Sequence, residues 1–220
     1  MAKLYFHGGE DIKKRDSKKI DKRAFADAGK APTILIFPWT RKIEKIEYRA
    51  IISDYFKELG ASKIKFAELS DSHQKIKRKI ESSDLIYLPG GDDRILVNRL
   101  KKRKIDALFQ KYNKVIIGNS AGSLALCKKY VVIKGQEGEP KTEAREAIGL
   151  VNFAVAVHYK STNPRFSGQA PCKELKALSK KMDIKIYAIP ERCALVYTNG
   201  KLQFIGNIYL FYKGRKTKCK

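Results

Sequence analysis

Short apolar runs alternate along this chain with longer stretches in which apolar positions recur every three to four residues. The runs KLYF (3–6), TILIF (33–37), KIKFA (63–67), DLIYL (84–88), KVII (114–117), NFAVAV (152–157) and IKIYAI (184–189) predict strands, as do ALVYT (194–198) and KLQFIG (201–206). Helical spacing falls at about 41–59, 71–82, 93–111, 121–129 and 171–182. In the first of these Ile43, Ile46, Tyr48, Ile51, Ile52, Tyr55, Phe56 and Leu59 follow a period near 3.6, and Gly60 supplies the stop. The early strands are continuous apolar runs, as expected when both faces of a sheet are covered. Strands alternating with helices imply crossover units and a mostly parallel sheet with helices on both sides. Asn199-Gly200 between the last two runs predicts a hairpin. The polar segment 134–150 is expected to be a long loop, and no repeat or linker divides residues 1–220.

Ligands of such sheets bind beyond the carboxyl ends of the strands, so the residues following each run carry the functional interest. One of these junctions, Gly118-Asn119-Ser120-Ala121-Gly122, fits the pattern G-x-S-x-G between a strand and a helix. A sharp strand-to-helix turn leaves no room for side chains on either side of a nucleophile, which is why glycines flank it. The same residues also fit a plain turn with a capping serine. A serine nucleophile needs a base, and the chain has three histidines. His158 follows the run NFAVAV and would reach the edge where Ser120 lies if its strand runs parallel to the central ones. His7 reads better as a turn residue before Gly8-Gly9, and His73 as a solvated helix-start residue. After DLIYL, the pair Gly90-Gly91 brings a bare backbone N–H within reach of a substrate carbonyl. Gly91 and Ala121 are therefore the candidate oxyanion donors.

The chain carries 47 Lys and Arg against 23 Asp and Glu, a formal net charge of +24. Lysine dominates and is spread over helix-like segments such as DIKKRDSKKIDKR, HQKIKRKI and RLKKRKID. That pattern fits solvated faces better than a dedicated nucleic-acid surface, although weak, salt-sensitive polyanion binding would follow from it. The four cysteines lack metal-ligand spacing and are expected to be reduced thiols. No metal and no cofactor is expected. No apolar run approaches the roughly 18 residues of a membrane span, and the N-terminus reads as a strand, so a cytoplasmic protein is expected.

LPGGDD, then VIIGNSAGSLAL, then a strand-end histidine resemble the dipeptidase E and cyanophycinase family of serine peptidases, over most of the chain. The resemblance implies a flavodoxin-like three-layer sandwich of the class I glutamine amidotransferase-like superfamily, with a C-terminal β-hairpin. It implies Ser120 as nucleophile, His158 as base, and Gly91 and Ala121 at the oxyanion hole. The acid is expected in the loop after the serine, at Glu137, with Glu139 and Glu191 as rivals. A basic residue after the histidine, Arg165 or Lys173, would bind an acidic substrate side chain, and Asn119 is placed with Arg165 at the substrate. The expected protein is a monomeric or homodimeric serine exopeptidase acting on Asp-X or β-aspartyl dipeptides. A non-catalytic binding member of the same fold and a basic polyanion-binding protein are the alternatives.

Overall fold

The computed structural model describes residues 1–40, 46–163, 166 and 172–219. Its central sheet has seven strands. Five are parallel: β1 (Lys3–His7), β2 (Thr33–Ile36), β3 (Lys63–Phe66), β4 (Leu85–Leu88) and β5 (Val115–Asn119). The other two, β10 (Ala194–Thr198) and β11 (Lys201–Ile205), are added antiparallel. The spatial order is β11-β10-β1-β5-β4-β2-β3. Asn199 and Gly200 both have positive φ, 48° and 80°, as a tight two-residue hairpin turn requires.

Alternation along these strands sorts their side chains into two cores. Leu4, Phe6, Leu35, Phe37, Ile86, Leu88 and Ile116 face one side, packing on α3 (His73–Glu81), α4 (Asp93–Lys102), α5 (Ile105–Lys111) and α6 (Ala121–Leu126). Tyr5, Ile34, Ile36, Leu85, Tyr87, Val115 and Ile117 face the other, against α1 (Lys18–Ala28) and α2 (Ile46–Glu58). Helices on both faces make the expected three layers. The helix anticipated over 93–111 is broken at Lys104, whose backbone is left-handed (φ 53°). The one over 121–129 ends at Leu126, because the chain turns at once into another strand. Of the anticipated helix 41–59, residues 41–45 lie outside the described residues, as does residue 171 of the helix 171–182, observed as α7 (Cys172–Met182).

Two strands expected in the central sheet lie elsewhere. β8 (Ala154–Ala156) and β9 (Ile186–Ala188) pair parallel with each other and join β12 (Tyr209–Tyr212) and β13 (Arg215–Lys218) in a second sheet ordered β13-β12-β9-β8. β8 is apolar on both faces because Val155 and Val157 enter the main core while Ala154 and Ala156 enter a third cluster with Leu175 and Phe211. Such a doubly covered strand has the hydrophobic signature of a central one. The free edge of β1 is meanwhile occupied by β10. The segment 134–150, expected to be a loop, contributes β7 (Glu143–Glu146), which pairs with β6 (Lys129–Val132) as a small ribbon.

Candidate active site

The carboxyl ends of β1, β4 and β5 open onto a cleft of about 1230 Å³. Ser120 stands at its floor, between β5 and α6, with φ 48° and ψ −109°. A non-glycine residue in this region is strained, and the neighbours hold it there. Its N–H donates to the His7 carbonyl at 3.3 Å, and its carbonyl accepts from the Leu124 N–H at 3.0 Å. The two glycines of the motif are explained by contact. A Cβ on Gly118 would lie 2.5 Å from the Gly122 carbonyl carbon, and one on Gly122 would lie 2.0 Å from the Leu88 carbonyl oxygen. The strand-to-helix turn therefore packs backbone on backbone, against the end of β4.

Ser120 Oγ lies 2.8 Å from His158 Nε2. His158 is buried at the exit of β8, in a left-handed conformation (φ 53°), and its N–H donates to the Gly8 carbonyl at 2.8 Å. The Phe166 ring stacks on the imidazole, with centroids 3.7 Å apart and planes within 3°. Gln136 Nε2 donates to the carbonyls of both His158 and Phe166 at 3.2 Å. Neither Phe166 nor Gln136 carries a motif that singles it out in the sequence.

The carboxylate on the other ring nitrogen is Glu191, not Glu137. Glu191 Oε1 lies 3.1 Å from His158 Nδ1, and the same oxygen accepts from Ser161 Oγ at 2.9 Å. The hydrogen bond to His158 holds the Glu191 carboxyl below the usual carboxylate range, with help from Ser161. Glu137 is exposed on a short 3₁₀ turn at the cleft wall. Glu139 is held by Arg145 at 2.6 and 2.9 Å and by Arg94 at 2.6 Å. Counting residues from the serine misses Glu191 because β9 runs beside β8 and brings the turn that follows it back to the histidine.

Gly8 and Gly9 are more than a turn. A Cβ on Gly9 would lie 2.3 Å from His158 Cε1, and one on Gly8 2.0 Å from the Pro190 carbonyl oxygen. The Arg192 N–H donates to the Gly9 carbonyl at 3.0 Å, and the Gly8 N–H to that of Cys193 at 3.0 Å. The end of β1 thus stitches the His158 and Glu191 turns to the central sheet.

Gly91 has φ 137°, and a Cβ there would strike Thr40, 2.7 Å away. Thr40 Oγ1 donates to the Gly90 carbonyl at 3.0 Å and so fixes this loop from behind. Gly91, Ser120, Ala121 and His158 line one small pocket. Asn119 is buried beside them; its Nδ2 donates to Tyr87 Oη at 3.4 Å, and among the described residues its Oδ1 has no hydrogen-bond partner. Arg165 lies outside the described residues. Lys173 is exposed on α7. His73 is exposed, with Nδ1 on the Arg103 carbonyl at 2.9 Å.

Beneath the Ser120 turn the fold also assembles a group the sequence did not suggest, where no metal ligands were expected. His7, Glu10 and Asp21 come together on the α1 side of β1, with donor atoms within 4.8 Å of one another. Burial pushes the Glu10 and Asp21 carboxyls above their ordinary values and the His7 imidazole below its own.

The profile of Peptidase family S51 matches residues 5–205. The uncharacterized peptidase Lin0382 of Listeria innocua is 24% identical over 136 residues, 59% of this chain and 65% of that protein. The uncharacterized peptidase Lmo0363 of Listeria monocytogenes is 28% identical over 99 residues, 42% of this chain and 48% of its own length. The chain thus spans less than two thirds of either curated relative. Among solved structures, a peptidase from an acI-B1 Actinobacterium superposes with a TM-score of 0.76 at 18% identity, over 100% of this chain and 94% of that one. A putative peptidase E protein from Listeria monocytogenes EGD-e superposes with a TM-score of 0.66 at 20% identity, over 93% and 98%. These likenesses establish the mixed α/β fold, consistent with the flavodoxin-like class. Among the described residues, no helix is long and apolar enough to cross a membrane.

Proposed function

The chain belongs to Peptidase family S51, and from that premise we propose that it is a serine exopeptidase that cleaves small peptides through Ser120, His158 and Glu191. The observation that carries the reading is the continuous relay from Ser120 Oγ to His158 Nε2 and from His158 Nδ1 to Glu191 Oε1, with links of 2.8 and 3.1 Å.

An ionised carboxylate only accepts hydrogen bonds, so Glu191 selects the tautomer with its proton on Nδ1. Nε2 is then the base facing the serine. Ser120 Oγ attacks the scissile carbonyl carbon while Nε2 takes the hydroxyl proton. The negative charge forms on the former carbonyl oxygen, where the Gly91 and Ala121 N–H groups are the candidate donors. As the C–N bond breaks, the imidazolium returns its proton to the leaving amine. Water, deprotonated by the same nitrogen, then cleaves the acyl-serine ester. Glu191 stabilises the imidazolium in each half-reaction without itself taking a proton.

Asn119 Oδ1, buried and without a hydrogen-bond partner among the described residues, would accept from a substrate N–H, which supports placing Asn119 at the substrate. Arg165 is the candidate reader of an acidic side chain by resemblance. An arginine there would pair bidentately with a carboxylate. The proposed substrates are accordingly Asp-X or β-aspartyl dipeptides. The test is a panel of Asp-X, β-Asp-X and uncharged dipeptides, read on wild type and Ser120→Ala. Turnover of the acidic substrates, lost in the variant, is expected. Equal rates in both proteins overturn the assignment, and failure of a fluorophosphonate to label wild-type Ser120 would point to a non-catalytic member of the fold.

A further inference from the structure

We propose that His7, Glu10 and Asp21 form a binding site for a divalent transition-metal ion, such as Zn²⁺ or Mn²⁺, directly beneath the Ser120 turn. The site is independent of the peptidase reading.

His7 and Asp21 are completely buried. Yet, among the described residues, neither ring nitrogen of His7 has a hydrogen-bond partner, and neither has Asp21 Oδ1. Buried polar atoms without partners cost free energy and call for an explanation. Nε2 lies 3.6 Å from Asp21 Oδ1, and Nδ1 lies 3.8 Å from Glu10 Oε2. Both separations are too long for hydrogen bonds. A single ion uses one of the two ring nitrogens; two ligands at about 2.1 Å from a tetrahedral ion stand about 3.4 Å apart, close to the spacing of either nitrogen from the carboxylate it faces, and one ligand atom from each of the three residues lies within 4.8 Å of the others.

The surrounding contacts are arranged as a metal's outer shell would be. Tyr87 Oη donates to Glu10 Oε1 at 2.8 Å, and Tyr55 Oη donates to Asp21 Oδ2. Each carboxylate thus has one oxygen held by a tyrosine and turns the other toward the imidazole. The facing oxygens of the two carboxylates lie within 4.8 Å of each other. With a neutral imidazole, a doubly charged ion balances the two carboxylate charges without a proton between them. One nitrogen and two oxygens favour zinc, manganese or iron over calcium and magnesium, which prefer oxygen alone. Glu10 also lines the large cleft and so gives the ion an entry path.

The placement assigns such an ion a structural role. The His7 carbonyl accepts from the Ser120 N–H and from Ser123 Oγ, so fixing His7 fixes the strand end on which the serine rests.

The test is equilibrium dialysis of the chelator-treated full chain against Zn²⁺ or Mn²⁺, with metal content measured by mass spectrometry. Wild type is expected to hold one equivalent and to unfold at a higher temperature when loaded. Glu10→Gln and His7→Gln are expected to bind about 10- to 100-fold more weakly or worse. Loading with Co²⁺ separates this site from the cysteines and reads wild type alone, so it decides even if a variant fails to fold. A visible spectrum without thiolate charge-transfer bands supports the site. Thiolate bands, no uptake by wild type, or unchanged affinity in both variants overturns it.

Discussion

Glu191 Oε1 accepts from Ser161 Oγ at 2.9 Å while it lies 3.1 Å from His158 Nδ1. One oxygen atom therefore joins the residue three places after the histidine to a turn on the next strand of the second sheet. The imidazole is held from its Nδ1 edge by this oxygen and across its face by Phe166.

The relay predicts unequal roles for the glutamates around the cleft. Glu191→Gln should lower kcat by about 10³- to 10⁴-fold, because an amide can donate to Nδ1 and so stabilise the wrong tautomer. Glu137→Gln should stay within about tenfold of wild type. Steady-state hydrolysis of the best dipeptide measures both, and the reverse ranking would return the acid to Glu137.

Gly9→Ala should damage activity more than stability. The new methyl would meet His158 Cε1 at 2.3 Å and Nδ1 at 2.6 Å, so the ring must move. A shift near 1 Å in a catalytic group costs about 10²-fold. Gly29→Ala is the control, since that glycine also has positive φ but no atom within 4 Å of its virtual Cβ. The pair is read by kcat and by thermal midpoint, with both variants expected to lose about 1 kcal/mol from the backbone and Gly9→Ala alone to lose turnover.

Gln136 holds the His158 and Phe166 carbonyls, both at 3.2 Å, and so would position the proposed base. Gln136→Leu should lower kcat about tenfold with a smaller change in KM, because the loss falls on orientation at the reacting centre. A pure KM effect would show instead that Gln136 acts on substrate binding.

Asp71 predicts a loss of stability in acid. Burial alone would raise its carboxyl, but Lys75, Lys79 and the Glu68 N–H outweigh this and hold it at about 2, against an ordinary 3.8. A depressed folded-state value means that the unfolded chain binds the proton more tightly. The contribution is therefore complete above about pH 4 and is lost as pH falls toward 2. Urea midpoints measured across this range should fall for wild type and be flatter for Asp71→Asn, which keeps the shape but not the charge.

Where one signal dominated, the sequence was legible. The five parallel strands alternate or run apolar as their two covered faces require, and Asn199-Gly200 marked its hairpin. Ser120, His158 and the Gly90-Gly91 loop follow from glycine crowding and strand-end position. What escaped was set by tertiary pairing. β8 and β9 look like central strands because both faces of β8 are buried, and only the pairing of β1 with β10 excludes them from that sheet. Their adjacency is what carries Glu191 to the imidazole. β12 is a short apolar run, YLFY, whose partner strand β13, RKTK, is basic and mostly exposed, so no second hydrophobic run marked the pair as a hairpin. His7 passed as a turn residue because its partners, Glu10 and Asp21, lie on a charged loop and helix whose buried positions the lysine-rich composition hides.

The proposed base and acid leave neighbouring strands of the second sheet, while the proposed nucleophile belongs to the first. A small slide of one sheet over the other would carry His158 and Glu191 together, keep their mutual contact, and open only the gap to Ser120. Catalytic competence then works as a gauge of how the two sheets are aligned, and the strand end Gly8-Gly9 is the spacer that calibrates it. Any graft of the proposed triad onto another scaffold would have to reproduce that spacer, and not the three side chains alone.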